Sequence, residues 1–292
     1  MPNSKLRFKL IPLLALFAAP AKPQELLIKV YDEEGNKLLP CRIHLRDSNS
    51  KAVRPPNLPF FHDHFVCPGK ACIKLKPGLY RYWIERGPEY RRINGEVRIL
   101  AGRRTERSFK LKRIADLRKD GWWSGEFHVH RPPEQMKLLM EAEDLHFACV
   151  ITWWNGRGPW KENSMPQNTV VRFGQDYLCN IFAQEDERLG GALLFFNLPS
   201  KLPLPGSRAL YPPSVHFLKQ AKKLSGKEGP VWADIEKPFW WETPVWLATQ
   251  LVDSVGICHN HMHRGGVLDS EAWGRKRDRG KYPPAWGNGL WT

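Results

Sequence analysis

The feature that most constrains this chain is a change of hydrophobic period near residue 113. Before it, apolar and polar residues alternate in short runs: Leu26 to Tyr31, Cys41 to Leu45, Cys72 to Leu75, Tyr80 to Ile84, Glu96 to Leu100 and Arg107 to Leu111. Turn chemistry such as Asp32-Glu33-Glu34-Gly35-Asn36 and Pro77-Gly78 separates the runs. Successive strand side chains face opposite ways, so alternation gives each sheet one apolar face that a second sheet must cover. The pattern predicts a small all-β sandwich over 24–112. From 113 the texture differs. Trp123 to Val129, Phe147 to Trp153, Leu193 to Leu198, Val231 to Ile235 and Val252 to Cys258 read as strands, and Pro133 to Leu145 and Val215 to Leu224 as helices. Apolar strands alternating with helices predict an α/β domain over 113–292, a parallel sheet or barrel with its site at the carboxyl ends of the strands.

The first residues set the compartment. Lys5, Arg7 and Lys9 precede a short apolar run, Leu10 to Ala19, and Ala19-Pro20-Ala21 supplies small residues at a cleavage spacing. Residues 1–21 therefore read as a secretory signal peptide, and the expected location is secreted or periplasmic. The run is too short to span a bilayer, and no later segment is long and apolar enough, so no transmembrane segment is expected in the mature chain. A net charge of +15 leaves the mature chain basic and suited to acidic partners. Export permits disulfides. Six cysteines fall three and three; Cys67 and Cys72 flank Pro68-Gly69 and could close a hairpin, whereas Cys149 and Cys258 sit in apolar runs that suit buried thiols. There is no C-x-x-C, G-x-S-x-G, Walker A or G-x-G-x-x-G motif, which argues against a zinc ribbon, a serine hydrolase and a nucleotide-binding fold. Nucleic acid is not an expected partner.

Chemistry concentrates in Glu126-Phe127-His128-Val129-His130. Residues i and i+2 of a strand share a face, so the two imidazoles can meet one cation. A second group, His259-Asn260-His261-Met262-His263, follows the last predicted strand.

Two resemblances follow from these motifs. The strand, D-x-x-G-x turn and strand, with the later P-G-x-Y, is similar to the carboxypeptidase-regulatory or transthyretin-like modules of secreted enzymes. The stretch "GWWSGEFHVHRPPEQMKLLMEAEDLHFACVITWWN", Gly121 to Asn155, resembles the opening of a PHP-type (polymerase and histidinol phosphatase) metallohydrolase of the secreted carbaryl-hydrolase-like (CehA/McbA) branch. That family has G-D-x-H-x-H on its first strand, matched here by Gly125 to His130 with Glu126 for the Asp. Its second strand ends in Asp-His where this chain has Trp153-Trp154. The family glutamate corresponds to Glu185; a following G-H has become Gly190-Gly191, and a His-Pro has become Lys237-Pro238 beside Asp234 and Glu236. The resemblance implies a distorted β/α barrel, incomplete at the C-terminus if ligands lie beyond Thr292.

The departures leave too few ligands for a trinuclear cluster and enough for one divalent ion, Zn, Mn or Fe. The resemblance implies a metal set drawn from His128, His130, Glu185, Asp234 and His261, with Glu126 or Glu236 as general base or as the group that orients a ligand imidazole. An exported metal-dependent hydrolase of an ester, amide or phosphoester bond is the expectation. Its partner would be a small-molecule or glycan substrate, acidic ones included. The rival is a catalytically degenerate descendant that binds glycans or polyanions through Trp faces with Arg131, Arg157 and Lys161. Read without the resemblance, Glu185-Asp186-Glu187 is a solvated acidic loop, and His44, His62, His64, His146 and His216 are structural or surface residues.

Overall fold

The computed structural model describes residues 24–159, 165–227, 229–238 and 240–256, with the backbone of 262–263 and 266–267. The predicted signal peptide, Lys161, Cys258, His259 and His261 lie outside the described residues.

Eight strands make the first module: β1 (Glu25–Asp32), β2 (Cys41–Arg46), β3 (Phe60–Phe61), β4 (His64–Cys67), β5 (Lys70–Lys74), β6 (Gly78–Glu85), β7 (Ile93–Ile99) and β8 (Arg104–Leu111). They form a three-stranded sheet, β5-β1-β8, and a five-stranded sheet, β3-β4-β2-β6-β7. Leu26, Ile28 and Val30 of β1 pack with Ile43, Leu45, Phe65, Ile84, Val97 and Ile99 of the facing sheet. Burying each such side chain contributes about 1.5–3 kcal/mol before entropy is counted. Cys41 stands directly opposite Cys67 in the β2–β4 register, and both are buried, while Cys72 is exposed. The hairpin pairing of Cys67 with Cys72 is thus corrected: Cys67 faces the core and Cys72 lies on the surface beside Glu25 and Arg104.

The second half is built on one larger sheet. Its strands are β9 (Gly125–Val129), β10 (Phe147–Trp154), β11 (Val170–Phe173), β12 (Tyr177–Arg188) and β13 (Gly191–Phe196). A two-residue ribbon, β14 (Ser225–Gly226) with β15 (Gly229–Pro230), stands apart from that sheet, which is completed by β16 (Trp232–Ile235) and β17 (Ser254–Val255). A second short ribbon pairs β18 (Met262–His263) with β19 (Gly266–Val267). The order is β17-β16-β13-β12-β10-β9, with β11 on β12. Among the described residues three short α-helices accompany it: α1 (Met136–Glu143), α2 (Ser214–Ala221) and α3 (Thr243–Ala248). None of the described helices is long and apolar enough to cross a membrane.

This overturns the expected α/β barrel. The chain is mostly β, and the second sheet is a mixed half-barrel instead of a helix-clad parallel one. The cause is local. β12 does not return through a helix: Leu189-Gly190 turns it straight back into β13, with Arg188 paired to Gly191. Gly191 has φ 150°, and a Cβ there would lie 2.4 Å from the Trp246 ring, so the hairpin requires glycine. Gly190 is equally confined, by the Glu242 side chain. β13 therefore runs antiparallel to both neighbours, whereas β9, β10, β12 and β16 share one direction.

Helix α1 joins the halves. Pro133 opens a 3₁₀ turn before it, Met136, Met140 and Ala142 form its buried face, and Asp144 ends it in the left-handed conformation at φ 53°. Asp144 is buried and pairs with Arg86 from the end of β6 at 2.8 Å and with Arg113. Arg86 also donates to the Pro40 carbonyl at 2.8 Å. A charge-satisfied contact of this kind fixes the sandwich against α1.

Candidate metal centre

Four strands pointing the same way bring their carboxyl ends together, the usual place for a site in sheets with parallel strands. Here those ends supply His128 from β9 and His130 just after it, Trp154 from β10, Glu185 from β12 and Glu236-Lys237 after β16. The local backbone is irregular where these residues sit. β9 carries an extra residue between Glu126 and Val129 relative to β10, and β10 and β12 shift register twice between Cys149 and Trp153. Bulges of this type re-aim side chains at strand ends.

His128 is buried and its Nδ1 lies 2.6 Å from Glu236 Oε1. A carboxylate only accepts, so Nδ1 carries a proton, and a cation at Nε2 would take the place of the ring's second proton. That Nε2 is 2.8 Å from His130 Nε2 and 3.3 Å from Glu185 Oε2; His130 Nε2 is 3.1 Å from the same oxygen. The three atoms form a triangle. Tetrahedral bonds of about 2.0–2.1 Å put neighbouring ligand atoms roughly 3.3 Å apart, so the triangle has the size of one face of a zinc-type polyhedron. Glu185 Oε2 is fully buried and makes no aligned hydrogen bond. Two imidazole nitrogens and a carboxylate oxygen converging at these distances fit a cation in place of the His128 Nε2 proton.

The charges around the triangle are fixed. Burial opposes a charge on His128, yet the Glu185 and Glu236 carboxylates on its two nitrogens push it up to about 10. Burial likewise opposes the Glu185 charge, but His128, His130 and Lys237 hold this carboxyl well below the usual range. Lys237 is almost wholly buried; its Nζ lies 3.4 Å from Glu185 Oε1 and bonds Glu187. It holds one carboxylate oxygen and leaves the other for the histidines. His130 and the exposed Trp154 ring, 5.3 Å apart, form the solvent side.

Of the residues singled out in the sequence, His128, His130 and Glu185 converge, with Glu236 behind His128. Glu126 lies at the rim, where its carboxylate accepts the His128 amide at 3.0 Å; burial and the nearby Glu236 charge raise its pKa. Asp234 stands apart from the triangle. It is buried, accepts the Ser254 hydroxyl, and burial pushes it up to about 6. His261 lies outside the described residues. The acidic loop is a correction: Glu185, Asp186 and Glu187 belong to β12, and the first two are wholly buried. Several buried polar groups of this stretch are met, although Glu185 Oε2, Asp186 Oδ1 and Arg188 Nε have no aligned partner. Gln184 bonds the Leu202 backbone in both directions, and Asp186 pairs with Arg188 at 2.7 Å.

Sequence reasoning missed Lys237 as a working charge and Trp154 as the aromatic wall. A lysine beside two acids and a proline was the available signal for the first. For the Trp pairs, opposite facing holds at 153–154: Trp153 packs with the core and Trp154 turns to the site. No family model, curated protein or solved structure matches the chain, so the functional reading rests on the chemistry of this centre.

Proposed function

We propose that the protein is an exported, metal-dependent hydrolase of an ester, amide or phosphoester bond. The observation that carries this reading is the triangle of His128 Nε2, His130 Nε2 and Glu185 Oε2, with Glu236 orienting His128. Zn, Mn or Fe suits two imidazoles and one carboxylate. Such an ion, when bound with a position open, supplies a water acidified towards about pH 7 and polarises the substrate oxygen.

The protein's own residues do the rest. Glu236 holds the His128 ring in the tautomer that offers Nε2 to the ion. Lys237 neutralises the second oxygen of Glu185 and fixes its direction. Glu126, whose carboxylate accepts the His128 amide, would serve as the base that takes a proton from the attacking water and returns it to the leaving group. The Trp154 ring gives a flat apolar wall on the open side, suited to a sugar or aromatic group.

Metal content of the purified protein tests this, together with turnover of nitrophenyl ester and phosphoester substrates before and after chelation. The expected result is one tightly held ion at this centre, lost from His130→Ala and Glu185→Gln, and hydrolysis that follows the metal. Metal content unchanged in both variants would sink the ligand assignment.

A second reading, a non-catalytic glycan or polyanion binder, is favoured by the exposed indoles of Trp122, Trp123, Trp154 and Trp241 on a basic chain. Acidic glycan binding that survives His130→Ala, with no hydrolysis under any metal, would favour it.

A further inference from the structure

We propose that His44, Asp63 and His64 form a second cation site, in the β-sandwich, for a borderline divalent ion of the Zn²⁺ or Co²⁺ type. His44 lies on β2 and His64 opens β4, its antiparallel partner; Asp63 sits in the turn from β3. The ring centroids of His44 and His64 are 4.9 Å apart. One carboxylate stands between them, with Asp63 Oδ2 3.2 Å from His44 Nδ1 and Oδ1 3.1 Å from His64 Nδ1. Arg46 donates to Oδ2 at 2.9 Å, which turns Oδ1 towards His64.

The independent observation is His44 itself. Its side chain is 4% exposed, and neither ring nitrogen has an aligned hydrogen-bond partner. Buried imidazoles are ordinarily satisfied, so a ring with both nitrogens unmet points to something missing between it and its neighbours. The ring is held rather than free: it stacks on Trp83 at 4.6 Å and 16°. Its Nε2 faces Glu85 Oε2 at 3.7 Å, the carboxylate–imidazole–ion order that orients ligand histidines. Protonation states agree. Burial lowers His44 to about 4 and lowers His64, and although burial opposes the Asp63 charge, the two histidines hold that carboxyl at about 2. Neutral imidazoles and an ionised carboxylate are what a transition ion binds. His64 and Asp63 are partly exposed, which gives the ion a way in. An ion here ties the β3–β4 hairpin to β2, beside the Arg131 guanidinium that lies 5.2 Å over the Phe61 ring.

The test is Co²⁺ titration of the full chain after chelation, read by visible absorption and equilibrium dialysis. The double variant His128→Ala/His130→Ala, which lacks the first centre, is expected to keep one equivalent. Adding His64→Ala should abolish it, and adding Asp63→Asn should weaken it at least about tenfold. If His64→Ala does not fold, as judged by far-UV circular dichroism, the near-isosteric Asp63→Asn decides through its affinity. A double variant that binds no Co²⁺, or binding untouched by Asp63→Asn and His64→Ala, overturns the proposal. Loss of binding on His64→Ala in a chain that never held an ion at His128 would leave this site standing while the hydrolase reading fails.

Discussion

The two halves bury different things. The sandwich core is alternating Leu, Ile, Val and Phe, with Glu25, His44, Glu85 and Arg86 buried around it. The larger sheet hides Gln184, Glu185, Asp186 and Arg188 on one central strand, with Lys237 beside them. Apolar burial needs no partner and stabilises wherever the fit is good. A buried charge is tolerated only where other groups meet it, and it gives little net stability. The comparison teaches that β12 carries its polar run for the centre at its end.

The first way to break that contrast is to remove a partner in the larger sheet. Lys237→Met leaves Glu185 and Glu187 facing each other, and denaturant unfolding should show a loss of about 3–5 kcal/mol, as for a broken buried pair. A Phe65→Ala cavity in the sandwich core should cost a similar amount, about 3–5 kcal/mol. The difference lies in pH and metal dependence. The Phe65→Ala deficit should be the same with and without an ion at the centre of His128, His130 and Glu185, whereas the Lys237→Met deficit should change with that ion and with pH. Equal, flat responses would erase the distinction between the halves.

The next test uses protons. His128 has a folded pKa raised to about 10 from an unfolded value near 6.5. Its contribution to the metal-free protein is therefore complete below about pH 6.5 and is lost as pH rises through about 10. Stability of the chelated protein should fall over that window, and His128→Gln should flatten the curve. Metal must displace the same proton, so calorimetry in buffers of different ionisation enthalpy should record proton release on binding. No release would mean that His128 is not a ligand.

A smaller effect tests orientation. Glu236→Gln keeps the shape but loses the charge behind His128, and metal affinity should drop about 10–100-fold. Dialysis against competing chelators measures it. The smallest effect belongs to the sandwich: Ile43→Val should cost about 0.5–1.5 kcal/mol and leave metal affinity at the carboxyl-end centre unchanged. A metal effect from Ile43 would show that the halves are more tightly coupled than the Arg86–Asp144 contact indicates.

The same division decides how far the sequence could be read. Strand alternation in 24–112 was visible because one face of each strand is apolar. His128 and His130 were visible because two histidines at i and i+2 share a strand face whatever surrounds them. β12 was invisible: its run Gln184 to Arg188 has the composition of a solvated loop, and it is buried through pairing with β10 and β13 and through partners from Leu202, His130 and Lys237. Gly190-Gly191 looked like a changed motif and is a hairpin turn, fixed by the closeness of Glu242 and Trp246. His44 and His64 lay twenty residues apart and gave no signal, since their meeting depends on the pairing of β2 with β4.

By itself, then, the amino-acid order determined the alternation that makes the first module a sandwich, the shared face of His128 and His130, and the helix at Pro133. The mixed direction of the second sheet, the burial of Glu185 and the role of Lys237 were decided only in three dimensions. The physical reason is range: periodicity acts between neighbours along the chain, whereas a buried charge is stable only through groups that the fold brings to it from far away in sequence.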